Sequence, residues 1–114
     1  MAKKLVVLES PYAGTPEEVK INLAYGRACM KDSLLRGESP IASHLLYTQE
    51  GVLDDTIPEE RKLGIDAGHS WFAVVDLVVV YTDLGIRDGM FQGMNRAYDF
   101  GVEVVQRKLT NWVV

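Results

Sequence analysis

Three stretches of the chain hold side chains whose types and spacing could do chemistry. Ser10-Pro11-Tyr12-Ala13-Gly14 offers a hydroxyl, an aromatic ring and a small-residue turn; His44 offers an imidazole. Asp83-Leu84-Gly85-Ile86-Arg87-Asp88-Gly89-Met90 combines two carboxylates and a guanidinium with two glycines. A serine hydroxyl and loop N–H groups can hold a phosphate, a tyrosine ring can stack on a base, and a histidine can contact either. The last stretch follows Val78-Val79-Val80 at once, and those valines do not alternate with polar residues. Such a run is the signature of a strand covered on both faces, as at the centre of a parallel sheet. In such sheets ligands sit outside the carboxyl ends of the strands, where the next helix points its unpaired N–H groups. Asp83, Asp88, Arg87 and the N–H groups around Gly89 and Met90 would line that crevice, with Ser10, Tyr12 and Gly14 as its other half. The same spacing also fits an ordinary βα turn with solvated charges, and Tyr12 fits equally as a lid over the core.

The elements that must position these groups can be read in order. Leu5-Val6-Val7-Leu8 is a second buried parallel strand, ending in the turn-rich Glu9 to Pro16. Thr15 suits an N-cap, Pro16 the first helical position, and Glu17 and Glu18 the first turn, which predicts a helix to about Arg36 stopped by Gly37. Within Ser39 to Leu46 only a short strand is expected, at a sheet edge because of Pro40, and His44 follows that strand directly. Tyr47 to Ile57 reads as a long, acidic loop. A second helix opens at Pro58 and continues to Trp71 and Phe72; Gly64 and Gly68 give it a smooth row for close packing on the sheet or on another subunit. A last helix, Met90 to Phe100, precedes a final strand, Val102 to Val105, and an apolar tail with Trp112. An exposed Trp-Val-Val tail would be unusual for a monomer, so burial by packing or by a partner chain is expected.

At 114 residues, about half apolar and a quarter charged, the chain fits one globular domain spanning 1–114. A net charge of −4 with scattered basic residues argues against a nucleic-acid track. The single cysteine, Cys29, excludes an internal disulfide and fits a small packed hydrophobe. Two isolated histidines, His44 and His69, argue against a metal site, and His69 is expected to be structural or solvent-facing. The short apolar start is no signal peptide and no membrane span, so a cytoplasmic protein is expected. No Walker loop or dinucleotide fingerprint is present, which disfavours nucleotide hydrolysis and hydride transfer, and no cofactor is implied.

Five ordered motifs resemble the nucleoside 2-deoxyribosyltransferase-like superfamily, and most closely its short branch found in phage and bacterial genomes. They are Ser10 to Gly14, Asn22, Pro40 to Leu46, Pro58 to Arg61, and Thr82 to Met90. The resemblance implies an α/β flavodoxin-like or Rossmann-like three-layer sandwich with a mainly parallel sheet of four to five strands. It also implies a homo-oligomer and a nucleoside or nucleotide site built from Ser10, Tyr12, Gly14, Asn22, His44, Asp83, Gly85, Arg87, Asp88, Gly89 and Met90. Asp83 would accept hydrogen bonds from ribose hydroxyls. The superfamily's enzymes use a glutamate nucleophile in a pattern resembling Ser-x-Gly-x-x-x-Glu. Aligned here, that pattern starts at Arg87, keeps Gly89 and puts Gly93 in the glutamate's place.

Glycine supplies no nucleophile, so the covalent mechanism does not carry over. Gly93 also costs its helix about 1 kcal/mol relative to alanine. A bulky ligand, a neighbouring backbone or simple helix-to-sheet packing would account for it. The leading reading is therefore a binding protein without catalysis for a nucleotide or nucleoside derivative. One concrete form is a phage sponge that sequesters a nucleotide immune signal such as an ADP-ribose derivative or a cyclic nucleotide. The alternative is an N-glycoside hydrolase or nucleoside deoxyribosyltransferase using Asp88 or a loop acid (Asp54, Asp55, Glu59 or Glu60), although acids near a helix start are more often plain capping charges.

Overall fold

Strands and helices alternate along residues 3–112, the span that this computed structural model describes. The order is β1 (Leu5–Glu9), α1 (Pro16–Leu35), β2 (Ser39–Ile41), α2 (Ser43–Leu46), α3 (Pro58–His69), a 3₁₀ turn (Ser70–Ala73), β3 (Leu77–Tyr81), α4 (Asp88–Asp99) and β4 (Glu103–Arg107). All four strands are parallel in the order β2-β1-β3-β4, so the expected α/β parallel-sheet class is the observed one. The Pro40 strand is an edge strand, as its proline requires.

Strand alternation divides the core. Val6, Leu8, Leu77, Val79 and Tyr81 face α1, where Tyr25 and Cys29 bury their side chains. Val7, Val78 and Val80 face the other layer, formed by Phe72 of the 3₁₀ turn and by Met90 and Ala97 of α4. Met90, Gly93 and Ala97 are the buried stripe of α4, three and four residues apart as a helical period demands.

Local chemistry fixes the ends of α1 as the sequence predicts. Thr15 Oγ1 accepts the Glu18 N–H at 3.2 Å while Glu18 Oε1 accepts the Thr15 N–H at 3.0 Å, a reciprocal cap. The chain leaves the helix through Gly37 at φ +86°, a conformation that L side chains rarely adopt. Helix α4 starts two residues before the expected Met90 and β4 runs two residues past the expected Val105, and two further boundaries differ from expectation. His44 lies inside the short helix α2, because Ala42 turns the chain at once after three strand residues. Trp71 and Phe72 belong to the 3₁₀ turn, which tightens the exit from α3 and drops Phe72 into the core.

The tail turns back over the α1 layer: the Leu109 N–H donates to Asp83 and the Trp112 ring meets Tyr25 edge-on at 5.2 Å. Val113 and Val114 lie outside the described residues. No helix of the described residues is long and apolar enough to cross a membrane.

A buried ion pair ties β4 to the segment that enters β2. Arg107 Nη1 donates to Glu38 Oε1 at 2.8 Å, and Tyr81 donates to Asp32 of α1 at 2.6 Å beside it. Both charged side chains are about nine-tenths buried, so removing one strands the other in a poorly solvated place. Glu38→Ala should cost about 3–5 kcal/mol in urea denaturation, and the double change Glu38→Leu with Arg107→Leu should cost less than either single change. Additive losses would contradict this reading of the pair.

Candidate functional site

The chain order reverses direction between β1 and β3, since β1 leads to β2 on one side while β3 lies on the other. At the carboxyl ends of this pair, where such sheets leave a crevice, the structure holds a cavity of about 430 Å³. Its floor is Val7 and Glu9, its sides are the Ser10–Ala13 turn, α2, α3 and the start of α4. A wider cleft adjoins it, bordered by Tyr12, Ala13, Gly14 and the loop from Thr48 to Thr56. Tyr12, Ala13, Asp55 and Arg61 stand on the boundary of both.

Glu9 is the group on which this cavity turns, and the turn-rich reading of its segment did not single it out. Two-residue alternation from Val7 aims its side chain at α4, into the layer that is otherwise apolar. Gly93 is what lets it fit. A β-carbon built on Gly93 would stand 2.7 Å from Glu9 Cδ, far inside van der Waals contact. The close approach expected at Gly93 is therefore made by a carboxyl group of the same chain. Burial alone pushes Glu9 up to about 8, with no charge or hydrogen bond among the described residues offsetting it. Glycine in an interior helical turn and an acid two residues beyond a buried valine were the available sequence signals.

Beside it, His44 Nε2 and Ser10 Oγ share a hydrogen bond of 2.7 Å. Burial pushes His44 down to about 4, so the imidazole is neutral at physiological pH and either group can be the donor. Helix α2 can bring His44 this deep because Gly68 of α3 takes Ser43 against its backbone; a β-carbon there would stand 2.8 Å from Ser43 Cβ. The Gly64–Gly68 row is thus used within the chain, against Leu53 and Ser43.

The other expected residues fall into two groups. Tyr12, Arg87, Asp88, Gly89 and Met90 line the cavity along with Ser10 and His44, and Gly14 borders the outer cleft. Asn22, Asp83 and Gly85 lie outside both. Asn22 Nδ2 donates to the Tyr12 carbonyl at 2.9 Å and so holds the turn that carries Tyr12. Asp83 is occupied by its own chain: it accepts the Tyr25 hydroxyl at 2.5 Å and the Leu109 N–H at 3.0 Å. Gly85, at φ +86°, bends the segment that presents Arg87.

Of the loop acids, Asp54 accepts the Thr56 N–H and hydroxyl, and Glu60 accepts the Asp54 N–H, both acting as local caps. Asp55 pairs with Arg61 at 2.7 Å on the cavity wall. His69, expected to be structural or solvent-facing, stacks on Phe72 at 5.3 Å and reaches the cavity. Among the described residues no three His, Cys, Asp or Glu side chains form a metal-binding group.

A family model described as a domain of unknown function, DUF7768, matches residues 4–107. The chain belongs to that family. No curated protein matches the sequence. Among solved structures, the chain is similar to a 2-deoxyribosyltransferase from the psychrotolerant bacterium Bacillus psychrosaccharolyticus, with a TM-score of 0.60 at 16% identity. The match covers 96% of this chain and 76% of that one. The DUF7768 chain therefore shares the fold of a deoxyribosyltransferase.

Two measurements test the site. In the fold Glu9 keeps its proton to about pH 8, whereas in the unfolded chain it ionises near 4.5, so its contribution to stability is full below 4.5 and is lost as pH rises toward 8. His44 has the opposite slope, losing stability below its ordinary 6.5, but this cancels in a comparison of variants. Urea denaturation should show Glu9→Gln gaining on the parent as pH rises from about 5 to about 9; a difference independent of pH would contradict the buried acid. Second, Gly93→Ala should deliver its helix-propensity gain of about 1 kcal/mol only when Glu9→Ala has vacated the space. An equal effect in both backgrounds would mean the two residues do not meet.

Proposed function

We propose that this DUF7768 chain binds a nucleoside or nucleotide derivative in the cavity at the carboxyl ends of β1 and β3 and retains it without turnover. The observation that carries the reading is the convergence there of the α4 N-terminus with Arg87, the Ser10–His44 pair and the Tyr12 ring. Helix N–H groups and a guanidinium suit a phosphate, and a tyrosine ring suits a base. A cavity of about 430 Å³ is in the range of small-molecule sites, and the adjoining cleft leaves room for a second moiety. Likeness of fold to a deoxyribosyltransferase supports a nucleoside-related ligand.

Absence of turnover is supported by Gly93, which stands where the superfamily pattern would put its glutamate. The form of this function that needs no catalysis is capture in the cytoplasm of a signalling nucleotide, such as an ADP-ribose derivative or a cyclic nucleotide, by a phage-type sponge. Phe91 and Tyr98, exposed and seven residues apart on α4, support a homo-oligomer.

The test is mass spectrometry of what the purified protein retains and returns after incubation with nucleosides, mononucleotides, cyclic nucleotides and ADP-ribose. One compound recovered intact from the denatured protein is the expected result. Free base and sugar, absent from a protein-free control, would overturn the binding reading in favour of N-glycoside cleavage by a cavity carboxyl.

A further inference from the structure

Glu9 lines the cavity, and among the described residues no charge or hydrogen bond offsets the burial of its carboxyl. The α4 backbone at Gly93 closes one side of the carboxyl, and the cavity that Glu9 lines is open to a ligand. The titratable and charged groups around that cavity leave it unneutralised. Arg61 is engaged by Asp55, and Arg87 and Asp88 are exposed at the start of α4. His44, tied to Ser10, is neutral, and burial together with Arg96 lowers His69 as well. A carboxyl held between sheet and helix, with no cation or N–H donor offsetting its desolvation among the described residues, is kept as the acid, and an acid has one proton to give.

We propose that Glu9 is a specificity-determining residue, whose carboxyl donates a hydrogen bond to an acceptor atom of the bound ligand, a ring nitrogen or carbonyl oxygen of a nucleobase. Ligands with a donor at that atom are excluded, because two donors facing each other leave a buried polar group unpaired. This rests on the cavity being a nucleotide site, and it adds the one polar group of the floor to those at the rim. Glutamine at position 9 would keep a donor of the same reach without a proton to lose.

Calorimetric titration with AMP, CMP, GMP, UMP and ADP-ribose tests it, followed by Glu9→Gln and Glu9→Ala with the tightest of the five. Thermal melts of both variants confirm that they are folded. Parent affinity should fall about tenfold between about pH 7 and about pH 9, as the acid with a midpoint of about 8 loses its proton. Glu9→Gln should stay within about threefold of the parent at the lower pH and remain flat, while Glu9→Ala should be weak at both. A Gln variant as weak as the Ala variant, with the parent flat in pH, would overturn the donor role in favour of an anionic contact. An Ala variant that binds like the parent would show that Glu9 does not touch the ligand. Failure of all five compounds to bind would instead remove the nucleotide reading on which the proposal rests.

Discussion

The contact between the Glu9 side chain and the bare backbone of Gly93 is the constraint on which the cavity depends. A carboxyl has been taken into an apolar layer between sheet and helix, where an ion is costly and the neutral acid is the tolerable state. The helix accommodates it by giving up a side chain at the one position of its buried stripe that faces the strand end. Met90 and Ala97, on either side of that gap, complete the packing. Strand, helix and acid thus specify one another: a larger residue at 93 evicts the carboxyl, and a shorter one at 9 leaves a void.

Around this floor the walls are set by other close approaches. Gly68 brings α3 against Ser43, which lets α2 carry His44 down to Ser10. Asn22 holds the Tyr12 carbonyl, so α1 fixes the turn that closes the opposite side. Asp83 secures the tail and Tyr25, and this fastening lies on the α1 layer, away from the cavity. The result is a cavity whose floor holds a proton-bearing acid and whose rim carries an exposed guanidinium and a helix N-terminus.

Much of the fold was legible because its signals are local. The Val78–Val80 run, the Thr15 cap, the Gly37 exit and the edge proline each act within a few residues, and each appears where the spacing puts it. Less of the site was legible, because its decisive contacts join residues far apart in sequence. Glu9 looked like the first residue of a turn, since nothing nearby says that the opposing helix lacks a side chain at Gly93. Asp83 stood at the end of a buried strand as a ligand-facing acid would, yet Tyr25 and Leu109 occupy it, a fact that only the tertiary arrangement reveals. Two histidines of the same composition also separate only in three dimensions: His44 is fixed by Ser10, while His69 is a stacking partner of Phe72.

The shared fold with a deoxyribosyltransferase fixes the architecture, and the chemistry of this DUF7768 chain rests on its own residues. That chemistry turns on one carboxyl, Glu9, lying protonated in the cavity floor at neutral pH. Carbon-detected nuclear magnetic resonance of the Glu9 carboxyl through a pH titration measures that directly. The expected midpoint is the value of about 8 that burial imposes. A midpoint near the ordinary 4.5 of a solvated glutamate would contradict it, and with it the role given to Gly93.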